Sequence, residues 1–283
     1  MPELPEVETI ARGLRATLPG RRIVSVRLGK TDFMDNPGAI EEQLPGCLIT
    51  SVERYGKFIA LGLRRDTREV GRLLVHLGMT GQLTTRDARE PAATHTHVFL
   101  ALDDGRELRY ADARRFGRMA FATDANERSI LGQLGDDPLE IAPARWTQRI
   151  AGRRAMIKAL LLDQRVLRGV GNIYADESLW RARIHPKRQA ARLRPPQLRK
   201  LLHSLRAVLR EAIRLRGSSV SDYLDAAGQL GEYQQRHRVY QRAGKGCFRC
   251  GRKIRRIIVA GRSSYFCPRC QPARRATRRD AKS

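Results

Sequence analysis

Four cysteines near the end of the chain are the residues whose spacing points most directly to chemistry. Cys247-x2-Cys250 and Cys267-x2-Cys270 form two pairs with sixteen residues between them. Four thiolates at this spacing can surround Zn²⁺ tetrahedrally, and four sulfur ligands leave no open position for catalysis. Two disulfides are the alternative, which an oxidising compartment would favour. We expect one structural zinc ion per chain.

The segments around the cysteines predict a β-hairpin finger. Ile254–Val259 and Ser264–Phe266 have the composition of two short strands. Basic side chains crowd this module, namely Arg249, Arg252, Lys253, Arg255, Arg256, Arg262 and Arg269. Such a cluster suits a phosphate backbone.

The N-terminus offers a second possible centre of chemistry. Methionine before proline is normally removed, so Pro2 would carry a free secondary amine, followed by Glu3 and, one helical turn on, Glu6. An α-amino group has a pKa of about 7.7–8.0 and can act as a nucleophile near neutral pH. Carboxylates beside it could move protons or orient the site. Taken alone, these residues equally suit a proline that begins a helix and acids that complement the helix dipole.

The charge indicates a polyanionic partner. Lysine and arginine number 55 against 29 acidic residues, a net charge of +26 with a pI near 11.2. Nucleic acid explains this excess better than a merely soluble surface. We find no apolar run long enough to span a bilayer and no signal peptide, so we expect an intracellular protein without membrane association.

The hydrophobic pattern divides the chain into a β-rich half and a helical half. Residues 3–18 have the apolar stripe of an amphipathic helix, and Pro19-Gly20 ends it. Period-two patterns then run to about Thr123, with strands predicted at Leu48–Leu63, Arg72–Leu83 and Val98–Leu102. Helical spacing returns after Pro143, with one helix marked by Ile150–Leu161 and others at Ile173–Arg183 and 196–215. Gly217–Gly231 is predicted to be a mobile loop.

Several motifs in a fixed order resemble one known family. They are MPELPEVE at the start, HLGMTG at 76–81, DARRFG at 112–117, GVGNIYA at 169–175 and the four-cysteine finger. Together they resemble the bacterial formamidopyrimidine-DNA glycosylases, the Fpg/MutM branch of the Fpg/Nei family, from residue 2 to about 271. Leu4-Pro5-Glu6-Val7 favours this purine-specific branch over the endonuclease VIII branch. The family usually has proline where this chain has Ala113, which predicts a less rigid loop.

The resemblance implies an α+β fold in several parts. An N-terminal catalytic β-sandwich domain with flanking helices would span 1–125, and a linker 126–145. A helical helix–two-turn–helix (H2TH) DNA-binding domain would span 146–241 and a β-hairpin zinc finger 242–271. A basic disordered tail would span 272–283. The family places DNA in the cleft between its two main domains.

The resemblance also implies an activity. The chain would be a bifunctional DNA glycosylase/AP lyase of base excision repair that removes oxidised purines, namely 8-oxoguanine and formamidopyrimidines, from duplex DNA. It would then nick the strand by β,δ-elimination through a Schiff base on the N-terminal proline. We expect a monomer in the bacterial cytoplasm, associated with the nucleoid.

Residue roles carry over from the family motif by motif. The catalytic residues would be Pro2, Glu3, Lys57 and Arg262, with Glu6 and Glu177 in support. The DNA contacts would be His95, Arg114, Arg154 and Asn172, together with Met79 and Phe116, which with Arg114 would fill the space left by a flipped base. From the strand pattern alone, Lys57 could also be an ordinary solvent-facing residue.

Two other functions fit parts of the sequence. One is an endonuclease VIII-like glycosylase acting on oxidised pyrimidines. The other is a DNA-binding zinc-finger protein that performs no chemistry. A retained Met1 or a blocked N-terminal amine would support this second alternative.

Overall fold

The first helix shows how the N-terminal half begins. In a computed structural model that describes residues 1–219 and 223–273, α1 spans Leu4–Arg15, and its apolar stripe is fully buried. Pro5 occupies the first turn, where a missing N–H costs nothing, and Glu3 is the N-cap. The helix is shorter than the predicted 3–18, because a turn through Thr17 and Leu18 closes its end.

Two antiparallel four-stranded sheets form the N-terminal half. The strands are β1 Ile23–Leu28, β2 Leu48–Tyr55, β3 Phe58–Arg65, β4 Arg68–His76, β5 Gln82–Asp87, β6 Thr96–Leu102, β7 Arg106–Ala111 and β8 Arg118–Ala122. The strand orders of the two sheets are β1-β6-β7-β5 and β2-β3-β4-β8. One hydrophobic core takes buried residues from both sheets and from α1, as in a sandwich. Two short helices, α2 Pro37–Gln43 and α3 Asp124–Leu131, accompany the sheets.

Two predicted strand segments each contain two strands. The segment Leu48–Leu63 contains all of β2 and most of β3, with a two-residue turn between them. Arg72–Leu83 covers the end of β4 and the start of β5, separated by the HLGMTG loop. Tyr55-Gly56-Lys57 was interpreted as lying inside a strand pair, which the two-residue turn confirms, whereas the alternation did not predict the break at residues 77–81.

The C-terminal half is helical and ends in a hairpin. Its helices are α4 Pro143–Ile150, α5 Ile157–Leu162, α6 Asn172–Ala182 and α7 Pro195–Arg214, and its strands are β9 Arg255–Val259 and β10 Arg262–Phe266. The single helix predicted across Ile150–Leu161 is wrong, since Gly152 adopts a φ of +74° between α4 and α5. The predicted hairpin strands are confirmed.

The chain separates into two compact units. The sheet unit comprises residues 1–135 and 210–235, and the helix-and-finger unit comprises 136–209 with the residues from 236 on. The predicted domain boundaries and the mobility of Gly217–Gly231 remain predictions, and residues 274–283 of the predicted tail lie outside the described residues. Within the described part of the chain, no helix is long and apolar enough to cross a membrane.

Candidate active site

The start of α1 is held by a buried carboxylate. Pro2 is buried, and Glu3 and Glu6 are 3% and 1% exposed. One oxygen of Glu6 accepts a hydrogen bond from the Glu3 backbone N–H at 2.8 Å, and the other accepts from Ser218 N–H at 2.7 Å. A side chain at Gly217, whose φ is +79°, would lie 2.8 Å from the Glu6 carboxylate. Glu6 therefore fixes Pro2 and Glu3 against residues 217–218, an arrangement compatible with its predicted supporting role.

Lys57 lies in the tight turn between β2 and β3. Gly56 precedes it with a φ of +63°, the conformation that a type II′ hairpin turn requires at its first position. Lys57 is only 9% exposed. The alternative of an ordinary solvent-facing strand residue is therefore wrong, because this turn packs its side chain inward.

His76 lies on the strand next to Lys57 and is neutral at physiological pH. It pairs with Phe58 across β3 and β4, and the two rings are 4.9 Å apart. Burial, helped by the charges of Lys57 and Arg118, lowers the pKa of His76 to about 4. Its unprotonated Nδ1 accepts the Gly78 N–H at 3.1 Å, so His76 holds the first turn of the HLGMTG loop.

Asp112 connects the HLGMTG loop to the DARRFG loop. This carboxylate is fully buried and accepts hydrogen bonds from the hydroxyls of Thr80 at 2.5 Å and Tyr110 at 3.0 Å. It also accepts the backbone N–H groups of Arg114 at 3.3 Å and Gly117 at 2.9 Å. These bonds restrain the loop although alanine replaces the usual proline at position 113.

Three predicted void-filling residues lie on these two loops. Met79 and Phe116 are 41% and 56% exposed, so both large apolar side chains are accessible to a ligand. The Arg114 guanidinium lies 4.5 Å from the centre of the Phe116 ring, whereas the neighbouring Arg115 pairs with Asp32 at 2.9 Å. Met79, Arg114 and Phe116 are thus all exposed, and Arg114 and Phe116 are in contact. Arg114 and Arg115 differ in their partners, since Arg114 contacts an aromatic ring and Arg115 an acid.

His95 lies at the end of a loop whose stabilising contacts were not predicted from the sequence. The residue is exposed, has a φ of +64°, and its carbonyl accepts the Asp112 N–H at 3.0 Å. Arg109, only 5% exposed, donates to Glu107 and to four loop carbonyls, those of Asp87, Ala88, Glu90 and Pro91. In the sequence, the only indication of these Arg109 contacts was an arginine placed between the apolar Leu108 and Tyr110.

In the helix-and-finger unit, Asn172 begins α6. The preceding turn is shaped by Gly169, with a φ of +89° and an N–H that donates to the Gln164 side chain at 2.8 Å. Among the described residues the buried Asn172 Oδ1 accepts no hydrogen bond. The helix N-terminus with its amide suits a phosphate, as the family motif predicts. Arg154 is exposed in the turn between α4 and α5.

Glu177 anchors the segment that leads into the finger. Its buried carboxylate accepts three consecutive backbone N–H groups, those of Arg238, Val239 and Tyr240, at 2.9–3.0 Å. Burial raises the pKa of Glu177 to about 7, although these three bonds favour its charged form. The sequence alone offered no signal for this contact beyond the family motif.

The hairpin is held by a buried ion pair that sequence reasoning missed. Lys158 and Asp176 are both fully buried and lie 2.7 Å apart. Lys158 donates to the Ser263 carbonyl, while Asp176 accepts from the Ser264 hydroxyl and the Tyr265 N–H. Burial raises the pKa of Asp176 to about 6, although the positive charge of Lys158 acts to lower it. The pair therefore fixes β10, whose first residue is the exposed Arg262.

The four finger cysteines form a metal site. Their sulfur atoms all lie within 4.8 Å of one another, and Cys250 and Cys267 are 3.5 Å apart. The fifth cysteine, Cys47, is buried in the sheet unit. A four-thiolate cluster of this size suits one structural zinc ion and no open catalytic position. The predicted zinc finger is confirmed.

Comparisons with known proteins agree with this arrangement. Three family models match: the formamidopyrimidine-DNA glycosylase N-terminal domain at residues 1–119, its H2TH domain at 134–223, and the zinc finger found in FPG and IleRS at 244–273. The α+β fold of sheet, H2TH and finger parts is thereby confirmed.

Individual relatives cover nearly the whole chain. The formamidopyrimidine-DNA glycosylase of Solibacter usitatus is 44% identical over 96% of this chain and 99% of its own. A Lactococcus lactis FPG mutant bound to Fapy-dG-containing DNA has a TM-score of 0.88 and 32% identity, over 96% of this chain and 100% of its own. The wild-type L. lactis protein bound to DNA with an oxidised pyrimidine has a TM-score of 0.86 and 31% identity, over the same shares. The chain belongs to the formamidopyrimidine-DNA glycosylase family.

Proposed function

We propose that this protein is a bifunctional DNA glycosylase and AP lyase that removes oxidised purines from duplex DNA, with the Pro2 amine as nucleophile. The observation that carries the proposal is the start of α1, where Pro2 and Glu3 are buried and the Glu6 carboxylate accepts the backbone N–H groups of Glu3 and Ser218. Family membership supplies the substrate class. The high positive charge supports duplex DNA as the partner.

The Pro2 amine would unite both activities in one covalent intermediate. Its nitrogen attacks the sugar C1′ while the bond to the damaged base breaks, and the base leaves with a proton. The C1′–O4′ bond of the sugar ring then breaks as O4′ takes up a proton, which leaves an iminium at C1′. The iminium makes the 2′ proton acidic, so its removal expels the 3′ phosphate, and a second elimination expels the 5′ phosphate. Glu3 would transfer protons at the sugar, and Lys57 and Arg262 would assist the β and δ steps.

Glu3 is the better candidate for the proton-transfer role than Glu6. Both oxygens of Glu6 accept backbone N–H groups, which ties this carboxylate to the fold. Proton transfer requires a carboxyl group that changes its protonation during the reaction. Glu6 is therefore assigned to positioning.

The loops around Asp112 would read the DNA. A flipped nucleotide leaves a gap in the stack, and exposed Met79 and Phe116 can fill it. Arg114 would meet the base opposite the lesion. Its guanidinium has donors only, and cytosine presents two adjacent acceptors, so Arg114 should favour lesions opposite cytosine by about 1–3 kcal/mol. Arg115, paired with Asp32, is the weaker candidate.

Borohydride trapping on a duplex containing 8-oxoguanine tests the nucleophile. Reduction of the iminium should cross-link the protein to DNA, and peptide mapping should place the link on residue 2. Pro2→Gln supplies the matched control, since a large second residue retains Met1 and moves the amine away. That variant should bind DNA and form no cross-link. A cross-link that maps to Lys57 contradicts the proposal.

Glu3→Gln separates the two chemical steps. Base excision should fall by at least about 100-fold, the contribution of a positioned acid or base. Trapping on a preformed abasic site, where no base must leave, should fall much less. Equal losses on both substrates would remove Glu3 from the proton-transfer role.

Oxidised pyrimidines are the second candidate substrate, favoured by the structural relative bound to DNA that contains one. Single-turnover excision from duplexes with 8-oxoguanine, a formamidopyrimidine or an oxidised pyrimidine ranks them directly. We expect both purine lesions to be removed faster. A faster pyrimidine reaction would assign the chain the endonuclease VIII-like preference.

A further inference from the structure

Trp180 lies between α6 and the finger. It belongs to the last turn of α6, is 8% exposed, and packs in a small cluster with Val239, Cys247, Ile254 and Cys267. Two members of this cluster are zinc ligands. The indole ring is therefore part of the wall of the metal site, although it lies 67 positions before Cys247 in the sequence.

The indole nitrogen is aimed at a ligand sulfur. Nε1 of Trp180 lies 3.4 Å from Sγ of Cys247, and both atoms belong to buried side chains. The indole N–H can only donate, and a buried tryptophan usually finds an acceptor. A thiol is a weak acceptor, whereas a thiolate is a charged one. The geometry therefore aims a hydrogen-bond donor at one of the four ligand sulfurs.

Arg249 holds the indole ring in place. It lies within the first Cys-x2-Cys pair, and its guanidinium is 3.8 Å from the centre of the Trp180 ring. The same guanidinium donates to the carbonyls of Trp180 at 2.7 Å and Arg181 at 3.3 Å, at the C-terminal end of α6. A cation suits that end of a helix dipole. Together with the Trp180–Cys247 contact, these three contacts of Arg249 connect the first cysteine pair to α6.

We infer that Trp180 is a positioning residue of the zinc site, whose indole N–H binds the Cys247 thiolate and increases zinc retention. Groups that hydrogen-bond to metal ligands orient them and tune the bound metal. Withdrawing electron density from one sulfur also makes that sulfur less reactive toward electrophiles. The inference concerns the metal site alone and does not depend on the proposed glycosylase activity.

Cobalt substitution in the full-length protein reads out the hydrogen bond directly. The energy of the thiolate-to-cobalt charge-transfer band depends on the sulfur lone pairs, which an N–H donor stabilises. Trp180→Phe keeps an aromatic ring and removes the donor, so the band should move to lower energy. Zinc affinity, measured by competition with a chromophoric chelator, should fall by about 10-fold or more, as for other ligand-supporting residues.

Trp146→Phe is the matched control. Trp146 is the chain's other tryptophan and is buried in the same unit, but its indole N–H donates to the Leu198 carbonyl at 2.9 Å. The band and the zinc affinity of this variant should equal those of the wild type. In its background, Trp180 can be replaced by benzothienylalanine, which preserves the bicyclic shape and has no N–H.

The two Trp180 replacements distinguish hydrogen bonding from packing. A band shift and weaker zinc binding with both phenylalanine and benzothienylalanine support the inference. An unchanged band in either replacement overturns it, even if zinc affinity falls, because packing alone would then explain the loss.

Discussion

The sheet unit and the finger fix their exposed loops by different means. The sheet unit has a core drawn from α1, α2 and both sheets. The finger and the segments packed against it share a cluster of five buried residues, Trp180, Val239, Cys247, Ile254 and Cys267, two of which are metal ligands. So few residues cannot bury enough apolar surface to fold alone. The loops of the sheet unit can therefore rely on hydrogen bonds within a stable core, whereas the finger requires its metal.

Each region also contains a buried aspartate with a different kind of partner. Within residues 1–219 and 223–273, the Asp112 carboxylate accepts hydrogen bonds from neutral donors, two hydroxyls and two backbone N–H groups. Asp176 pairs with the charge of Lys158 and accepts from β10. Neutral donors are sufficient to hold the loop at Asp112, because this loop is short and close to the sheets. The hairpin contributes little core of its own, and an ion pair holds its backbone more strongly.

Metal removal should have the largest effect and should be confined to the finger. Structural zinc contributes about 10–16 kcal/mol in isolated fingers. We expect Cys250→Ser to abolish stoichiometric zinc by native mass spectrometry and to remove hydrogen-exchange protection from residues 244–273, while β2–β4 stay protected. Cys47→Ser, at the cysteine outside the cluster, should retain one zinc per chain. Loss of protection in the sheets of Cys250→Ser would break the contrast between the two regions.

Lys158→Met should have the next largest effect. It leaves the buried Asp176 without its cation, a change that costs about 3–5 kcal/mol in the free energy of unfolding. Without Lys158 the pKa of Asp176 rises further above its ordinary value, so the folded state gains stability at low pH and loses it as the pH rises. Urea denaturation should therefore show a smaller defect at pH 5 than at pH 8.

The double variant Lys158→Met/Asp176→Asn tests the same assignment. It removes both charges and should recover part of the lost stability, with little dependence on pH. A Lys158→Met defect that is equal at both pH values would contradict the role of the ion pair.

Asp112→Asn should cost less, about 2–3 kcal/mol, because hydrogen bonds to a charged acceptor are lost while the packing is retained. The asparagine side chain would also place its NH2 group, a donor, against hydroxyl and backbone N–H groups that are themselves donors. Hydrogen exchange at Gly117 should accelerate. Asp32→Asn, which removes the exposed partner of Arg115, is the control and should leave the urea midpoint within error. If the two variants behaved alike, Asp112 would not organise the loops.

Replacement of His76 should have the smallest effect on stability, and this effect should be measurable only at acidic pH. Burial lowers its pKa to about 4, so the folded state prefers the neutral ring and the unfolded chain binds the proton more tightly. This contribution to stability is fully present above about pH 6.5 and is lost as the pH falls toward 4. His76→Asn keeps an acceptor for Gly78 and does not titrate, so its urea midpoint should fall less between pH 7 and 4.5. If the urea midpoints of the wild type and the variant fell in parallel with pH, His76 would not be the source of this loss of stability.

Local patterns in the sequence determined the elements that depend on near neighbours. The apolar stripe of α1, the paired cysteines and the strands of the finger follow from spacing over a few residues, and the family motifs added candidate roles. The break at residues 77–81 was not predicted by the same reasoning, because the alternation did not indicate it. Lys57 was interpreted as lying inside a strand pair, but its neighbours alone did not predict that its side chain is buried.

Tertiary structure decided which side chains meet across long stretches of chain. The Glu6 carboxylate binds Ser218, 212 positions later, and the Trp180 indole reaches Cys247, 67 positions later. Asp112, Lys158 and Asp176 likewise have partners that no periodicity identifies. Such contacts depend on how elements pack, and a buried polar group must find its hydrogen-bond partners wherever the fold brings them. The sequence supplied these groups, but only the packing of the elements paired them.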